Sequence, residues 1–337
     1  MNIWIDLANS PHVPFFAALI PEFKQRGHRI EISARDYAQT LELARNAGLV
    51  PAVIGVHGGG KLAGKAGNLI GRAASLAKWA RGRGFDLAVS HNSYAQVAAA
   101  SALGVKTATL MDYEHQPANH LAFRLASSII VPDSFPDAAL RKYGAAPRKV
   151  KRYHGTKEDV YLAGFVPDAD FTKSLSQFGI APEHVLVVIR PPASEALYHR
   201  FENELFEKVL ADLTAREGVK VIVLARTAVQ RRQFEAIPNV IQPQVALDGA
   251  NLIAAADLII SAGGTMNREA AALGVPAATI YAGEWAAIDE QLVGEGRLRR
   301  IASFEDFESI RIQKKQSTNP RRAFDVREEV VELILGH

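Results

Sequence analysis

The chain contains no cysteine among its 337 residues, which excludes disulfide bonds and any chemistry that uses a thiolate. It also lacks an uncharged apolar run long enough to span a bilayer, which takes about 18 residues. No basic stretch precedes the apolar residues that follow Met1, so we expect no signal peptide. Together these absences favour a cytoplasmic protein.

Common catalytic motifs are missing too. There is no His-Glu-x-x-His, no Gly-x-Ser-x-Gly and no phosphate loop ending in Gly-Lys-Ser/Thr. Asp168 and Asp170 have the Asp-x-Asp form that metal-dependent transferases use, but they fall in a predicted linker instead of directly after a strand. We therefore expect no bound metal and no resident cofactor.

The charges are unevenly distributed. The net charge is +3, but residues 1–165 carry +8 and the remainder carries −5. A basic front half favours an anionic partner there, whereas the acidic second half argues against nucleic acid. The window 57–84 has six Lys or Arg, no acidic residue and many glycines. One interpretation is a mobile basic lobe that holds an anionic or lipid-linked acceptor or rests on the inner membrane face. The alternative is a flexible loop and a solvated helix face.

Short β-branched runs alternate with helical stretches along nearly the whole chain, which predicts parallel sheets with right-handed crossovers. The length suits two domains. We predict an α/β fold with a Rossmann-like domain over 1–160 and a second over 170–320, facing across a cleft. The tail 321–337 has helical periodicity and is expected to pack back on the first domain. In such folds ligands bind beyond the carboxyl ends of the strands.

The segment 256–269 is the most informative of these strand–helix junctions. A buried-type strand ends at Ser261, glycines follow at Gly263 and Gly264, and a helix begins at once. Glycines let backbone N–H groups approach an anion, and a helix N-terminus favours phosphate. Glu269 lies one turn into the helix, where a carboxylate can hold a ribose. Such junctions also occur for packing reasons alone.

The residues around this junction resemble a known superfamily. Segment 251–276 (NLIAAADLIISAGGTMNREAAALGVP) is similar to the nucleotide-sugar half of GT-B proteins, both the peptidoglycan N-acetylglucosaminyltransferase and UDP-N-acetylglucosamine 2-epimerase. The full chain more closely resembles a domain-of-unknown-function family within that superfamily, through segments 4–16 (WIDLANSPHVPFF) and 160–168 (VYLAGFVPD). The resemblance specifies the fold well and the reaction poorly, because one fold hosts several chemistries.

The resemblance implies roles for residues of the second domain. The diphosphate would be held by four residues: Ser261, Gly263, Gly264 and Thr265. The carboxylate of Glu269 would bind the ribose, although the epimerase pattern has one residue fewer before it. The backbone around Val245 would grip the base, and a polar stretch would read the sugar hydroxyls: Asp289, Glu290 and Gln291.

Two arginines follow strands of the second domain. Arg190 comes after the first predicted strand and Arg226 after the second. A guanidinium can clamp a diphosphate and stabilise the leaving charge without a metal. The alternative is that each forms an ion pair with the acidic second half.

Polar clusters follow strands of the first domain as well. His12 lies in the first turn, after Asn9 and Ser10, where it could deprotonate an acceptor hydroxyl, steady a leaving phosphate or cap its own helix. Further acceptor-side candidates follow two later strands: His91, Asn92, Ser93 and Asp112. Glu114 is a second candidate base.

These observations predict a metal-independent glycosyltransferase with a UDP-sugar donor. One alternative is a sugar-nucleotide epimerase, in which carboxylates such as Glu114 and Glu290 would remove and return a proton. A second alternative is a non-catalytic protein that binds a nucleotide sugar and signals through a partner.

Overall fold

The computed structural model describes residues 1–56, 62–192, 199–245 and 247–336. Its contacts divide the chain into two compact units. The N-terminal unit comprises Met1–Tyr161, Ala286–Ile288 and the segment from Ala323, and the C-terminal unit comprises Leu162–Trp285 and Asp289–Arg322. Each unit contains one parallel sheet with helices, which confirms the predicted α/β class.

The sheet of the N-terminal unit has the order β3-β2-β1-β4-β5-β6-β7 among the described residues, and all of its strand pairs are parallel. The strands are β1 (Asn2–Leu7), β2 (Arg29–Asp36), β3 (Ala52–Val56), β4 (Leu87–His91), β5 (Lys106–Leu110), β6 (Ser128–Pro132) and β7 (Val150–Tyr153). All six residues of β1 are buried, as expected for a central strand covered on both faces. The strand order reverses between β1 and β4, which places a topological switch point there.

Helices connect these strands and bury their apolar faces on the sheet. They are α1 (His12–Gln25), α2 (Thr40–Asn46), α3 (Leu62–Ala80), α4 (Tyr94–Ala102), α5 (Asn119–Leu125), α6 (Asp137–Lys142) and α7 (Asp159–Leu162). In α1, residues Phe15, Phe16 and Leu19 are almost fully buried in the main core cluster. This spacing is the helical repeat of a core-facing stripe.

The C-terminal unit repeats the architecture with the order β10-β9-β8-β11-β12-β13 in the described chain. Its strands are β8 (Val185–Arg190), β9 (Val219–Val223), β10 (Val240–Ile241), β11 (Leu258–Ser261), β12 (Ala277–Thr279) and β13 (Arg299–Arg300). The other helices of the chain are α8 (Ala169–Ser174), α9 (His199–Ala215), α10 (Ala228–Glu235), α11 (Gly249–Ala255), α12 (Gly264–Leu273), α13 (Ala287–Gly294), α14 (Phe304–Glu308) and α15 (Asp325–Leu335). The switch point here lies between β8 and β11.

The tail helix α15 belongs to the N-terminal unit and contacts α1 and β7. Val326, Val330 and Val331 on α15 are buried in the same core cluster as Phe16 of α1. Lys151 on β7 also donates to the carbonyl of Leu333, 2.9 Å away. The tail therefore completes the core of the N-terminal unit.

The basic window is in large part a core helix. Residues 57–61, including Lys61, lie outside the described residues, and α3 accounts for 62–80. Leu76 is fully buried and Arg72 is 8% exposed, whereas Lys78 is exposed. Ile70 and Lys78 are exposed, so α3 also has a solvated face, and both interpretations of the window stay predictions. None of the helices in the described residues is both long and apolar enough to cross a bilayer.

Candidate functional site

The glycine junction lies at the carboxyl end of β11. Gly263 precedes α12 with extended backbone torsions, φ −161° and ψ 148°, so it is not strained. No side chain of the described residues caps α12. The first N–H groups of the helix therefore lack a side-chain acceptor, and the partial positive charge of the helix end favours an anion.

A side chain at position 263 would also collide with a neighbouring residue. A Cβ atom on Gly263 would lie 2.7 Å from Nη2 of Arg226, which is closer than real contacts allow. A Cβ on Gly264 would lie 3.3 Å from Cζ of Arg268. The missing side chains thus make room for guanidinium groups at the tip of α12, in addition to any approach by an anion.

Arg226 is held in place by backbone and amide groups. Its Nε donates to the carbonyl of Pro191 at 2.8 Å, and its backbone N–H donates to Oε1 of Gln230 at 2.9 Å. Gln230 is buried and donates in turn to the carbonyl of Pro192 at 2.7 Å. The guanidinium beside Gly263 is therefore oriented before any ligand arrives.

Arg190 reaches the same edge of the sheet. It is the last residue of β8 and is in register with Ser261 on β11. Burial lowers the pKa of the Arg190 guanidinium, and the nearby carboxylate of Glu269 opposes that shift. An arginine keeps its charge in spite of such shifts. Arg190 thus ends β8 at the switch point of this sheet with Glu269 near its guanidinium, and Arg226 lies at the tip of α12 beside Gly263.

The remaining predicted donor residues stay predictions. Thr265 is the second residue of α12 and is half-buried. The side chain of Val245 is 74% exposed, in the loop before α11. Position 246 lies outside the described residues.

The predicted sugar-reading stretch falls on the first turns of α13. Asp289 accepts two hydrogen bonds from Arg268, with 2.7 Å to Nε and 2.9 Å to Nη2. Gln291 donates to Glu295 at 2.7 Å, and Glu290 is exposed. Of the three, Asp289 lines a cleft in the C-terminal unit.

This cleft is small, with a volume of about 10 Å³, which is the space of roughly one water molecule. The residues that line it are Gly264, Asn267, Thr279, Tyr281, Trp285, Asp289 and Leu298. The Trp285 indole donates to the carbonyl of Tyr281 at 3.1 Å, and Cζ of Arg300 lies 4.7 Å from the Trp285 ring centroid. Neither aromatic residue was predicted from the sequence. Their position in the segment that follows β12 was the available signal.

In the N-terminal unit, Asn9 and Ser10 shape the turn after β1. The side chain of Asn9 accepts from the N–H of Ser10 at 2.9 Å, and the Ser10 hydroxyl accepts from the N–H of Gln39 at 3.2 Å. Pro11 is the N-cap of α1, and no described side chain caps this helix. His12 therefore does not cap its own helix.

His12 is buried beside a second histidine. The rings of His12 and His91 lie 5.3 Å apart, and Phe15 meets His91 edge-on at 5.7 Å. Within the described part of the chain, Nδ1 of His12 has no hydrogen-bond partner. Burial, followed by the charges of His91 and Lys157, lowers the pKa of His12 well below its usual value. At neutral pH the imidazole is uncharged and able to accept a proton.

Three charged groups continue this buried cluster. Nζ of Lys157 lies 2.9 Å from Asp112 Oδ2 and 3.4 Å from Glu158 Oε1. The other oxygen of Asp112 lies 3.8 Å from Nε2 of His91. Lys157 and Glu158 were missed because 153–170 was interpreted as a linker. The signal was the run of three consecutive charged residues, 157–159, shortly after Gly155.

Ser93 and Asn92 serve the structure around β4. Ser93 caps α4 through Gln96 and also donates to Asp6. Asn92 adopts a left-handed conformation with φ 60°, which asparagine tolerates better than most residues. Both remain candidates on the acceptor side only as predictions.

Glu114 is buried, and its carboxylate is engaged. Oε1 accepts from the backbone N–H of Ala287 at 2.7 Å and lies 3.8 Å from Nε2 of His115. One oxygen of the second candidate base is therefore used to bind the backbone.

The Asp-x-Asp sequence has a local structural role. Asp168 caps α8 by accepting from the N–H of Asp170, which pairs with Lys173 at 2.8 Å. Among the residues that the structure describes, no group of three or more His, Asp or Glu side chains could hold a metal ion.

Solved structures with a similar fold are nucleotide-sugar proteins. UDP-GlcNAc 2-epimerase of Methanocaldococcus jannaschii, in complex with UDP-GlcNAc and UDP, is 15% identical with a TM-score of 0.76, and the match covers 100% of both chains. Anabaena HepE in complex with UDP-glucose is 16% identical with a TM-score of 0.57, covering 83% of this chain and 80% of that one. These similarities show the GT-B fold.

A relative by sequence spans most of the chain. An uncharacterised protein of Methanocaldococcus jannaschii is 29% identical over 307 residues, which is 88% of this chain and 87% of the relative. The family described as protein of unknown function DUF354 matches residues 1–336. The chain has a fold of the GT-B type and belongs to the DUF354 family.

Proposed function

We propose that the protein is a metal-independent glycosyltransferase that takes its sugar from a UDP-sugar and needs no resident cofactor. The observation that carries this proposal is the Arg226 guanidinium at the uncapped tip of α12, in space that Gly263 leaves open. A backbone N–H row and an oriented cation suit the two charges of a diphosphate.

The leaving diphosphate would be stabilised by Arg190 and Arg226 from one side and by the helix tip from the other. The hydroxyls of Ser261 and Thr265 would add hydrogen bonds. Preoriented donors of this kind act on charge as it develops, which is the largest single contribution in many enzymes. They would take the part that a metal plays in other transferases.

The nucleoside would lie next to the diphosphate. Glu269 is close enough to Arg190 to influence its pKa, so a ribose held by this carboxylate would lie beside the diphosphate. The backbone near Val245 would contact the base. The sugar would lie at the mouth of the small cleft that Asp289 and Trp285 line, where an aromatic face and an aspartate match the faces and hydroxyls of a hexose.

His12 is the proposed base that takes the proton of an acceptor hydroxyl. Its burial favours the neutral imidazole, which is the form that accepts a proton. Glu114 is less suitable, because Oε1 already binds the N–H of Ala287.

An anionic or lipid-linked acceptor remains part of this proposal, with the protein at the cytoplasmic face of the membrane. Lys78 and Arg81 are exposed, and Ile70 is 71% exposed on the same helix as Lys78. Exposed basic and apolar side chains within one segment suit a surface of acidic lipid.

A sugar-nucleotide epimerase is the second candidate. Two buried carboxylates, Asp112 and Glu158, flank Lys157 and could remove and return a proton on a sugar carbon. The similarity in fold to UDP-GlcNAc 2-epimerases also favours this candidate. Glu290, which the sequence offered for such a role, is exposed.

Binding is tested by calorimetric titration with UDP and UDP-sugars. We expect Arg226→Gln to weaken UDP binding at least about tenfold, since a charged hydrogen-bond partner of phosphate is lost. Arg232→Gln, an exposed arginine on α10, is the matched control and should bind like the wild type. Equal affinity of both variants for UDP would contradict the proposed diphosphate site.

Turnover separates the alternatives. UDP-sugars are incubated with the protein, with and without a panel of lipid-linked and soluble acceptors, and the products are analysed by mass spectrometry and NMR. Transfer requires an acceptor, whereas rearranged sugar without an acceptor identifies the epimerase. Tight binding with no product under any condition would identify the non-catalytic alternative.

A further inference from the structure

We propose that Lys157 is a positioning residue for proton transfer by His12, acting through its ion pair with Asp112. This inference rests on the proposed function and assigns a role to a residue in the segment after β7. Lys157 is 5% exposed, so its ammonium group is held inside the N-terminal unit.

The four groups are neighbours in one buried cluster. Lys157 Nζ is 2.9 Å from Asp112 Oδ2, Asp112 Oδ1 is 3.8 Å from Nε2 of His91, and the ring of His91 is 5.3 Å from that of His12. They come from four places in the fold, namely the segments after β7 and β5, the end of β4 and the start of α1. In such a cluster the neighbouring charges act on the protonation of the base.

The buried charges explain why a lysine is needed. Asp112 is 8% exposed and Glu158 is fully buried, and both carboxylates lie within 4 Å of the one ammonium group of Lys157. Without this cation two carboxylates would be close together with little solvent, and Glu158, the more deeply buried of the two, would take up a proton. Lys157 therefore compensates the buried negative charge and holds Asp112 next to His91.

The same cation acts on His12. The titratable and charged groups that affect His12 are His91 from β4, Asp112 after β5, Lys157 after β7 and Arg72 from α3. Lys157 disfavours a second positive charge on His12, whereas Asp112 favours it. Removal of Lys157 should therefore let His12 take up a proton at a higher pH.

In the transfer step, the acceptor oxygen bonds to the anomeric carbon and the bond from that carbon to the diphosphate breaks. The diphosphate keeps the electron pair, and His12 takes the hydroxyl proton. A His12 that is already protonated cannot take it. Lys157 thus supports the reaction without touching the substrate.

The first test is an NMR titration of the His12 imidazole in the full-length protein, which needs no substrate. We expect His12 of Lys157→Met to titrate at a higher pH than in the wild type, and Lys157→Arg to behave like the wild type. Lys106→Met, at the exposed amino end of β5, is the matched control. A His12 titration that is the same in Lys157→Met and wild type would overturn the inference.

The second test is kinetic. We expect Lys157→Met to lower kcat at low pH, where its His12 is already protonated, with little change in KM. The acid limb of its pH profile should move to higher pH, and Lys157→Arg should recover most of kcat. A change confined to KM would contradict a positioning role.

If Lys157→Met does not fold, Lys157→Met/Glu158→Gln removes the cation together with the more deeply buried of its two carboxylates and keeps the net charge of the cluster. His12 of this double variant should titrate at a higher pH than His12 of Glu158→Gln alone, because the repulsion from Lys157 is lost, and an equal titration would overturn the inference. A protein with no turnover but a shifted His12 titration would refute the proposed function and leave this inference standing. Turnover together with an unchanged His12 titration would support the proposed function and overturn this inference.

Discussion

Asp6 and Arg72 form a bidentate ion pair in the N-terminal unit, with both partners buried and 66 residues apart in the sequence. Asp6 also accepts from Ser33 at 2.6 Å and from Ser93, and Arg72 Nε donates to the carbonyl of Ile54 at 2.9 Å. Every oxygen of Asp6 is thus bound, and the pair joins α3 to strands β1 and β3. A buried pair of this kind fixes the position of the helix more than it adds net stability.

Replacing one partner of the Asp6–Arg72 ion pair should lower the free energy of unfolding. Arg72→Met leaves Asp6 charged and unpaired in the core, and we expect the free energy of unfolding to fall by about 3–5 kcal/mol in urea denaturation. Lys78→Met, on the exposed face of α3, is the control and should change it by less than about 0.5 kcal/mol. Similar values for the two variants would show that the ion pair is not buried.

Two glycines should respond in opposite directions to alanine. Gly274 has φ +68°, and a Cβ there would lie 2.3 Å from the backbone carbon of Asn319, so Gly274→Ala should lose about 3 kcal/mol or more of stability. In the described structure nothing lies within 4 Å of a Cβ on Gly71, inside α3. Gly71→Ala should gain about 0.5–1 kcal/mol by helix propensity. Thermal unfolding of both variants checks the pair, and equal effects would contradict the structure.

His154 should show a pH-dependent contact with the tail helix. Its Nδ1 lies 2.7 Å from the carboxylate of Glu329 on α15, and this hydrogen bond, followed by the charge of Asp133, raises the pKa of His154. A raised pKa in the folded state means that the contribution to stability is present at low pH. It is lost as the pH rises through the folded-state pKa.

An NMR titration of His154 checks this contact. Glu329→Gln should bring the His154 titration down towards the ordinary range, whereas Glu328→Gln, one residue away on α15, should leave it almost unchanged. An identical titration in the Glu329 variant and the wild type would mean that the tail helix does not hold this histidine.

Central elements could be predicted from the sequence with accurate bounds. The sequence predicts a strand over 258–261 and a helix over 249–255, and β11 and α11 have these bounds, because an apolar strand and an Asp248-capped helix are local patterns. Three strands were not predicted, namely β3, β7 and β13, and all three lie at sheet edges. Edge strands are half-exposed, so they carry no strong apolar signal. The edge strand β10 was recognised because both of its residues are β-branched.

Site residues could be predicted from the sequence only where the residues that act together lie in one short segment. The glycines before α12 and the arginines after β8 and β9 stand next to strand ends, which is a pattern within one segment. Arg72 and Lys157 have partners 66 and 45 residues away, so the sequence offered only a basic window and a charged linker. Sequence spacing carries no information on such distant pairs.

A crystal structure of the protein with UDP tests the proposed diphosphate site at the tip of α12 most directly. We expect a diphosphate oxygen within hydrogen-bond distance of the N–H groups at Gly264 and Thr265. The Arg226 guanidinium should contact a phosphate, and the ribose should lie at Glu269. A nucleotide bound elsewhere, with Arg226 still lying against Gly263 and the tip of α12 empty, would contradict it.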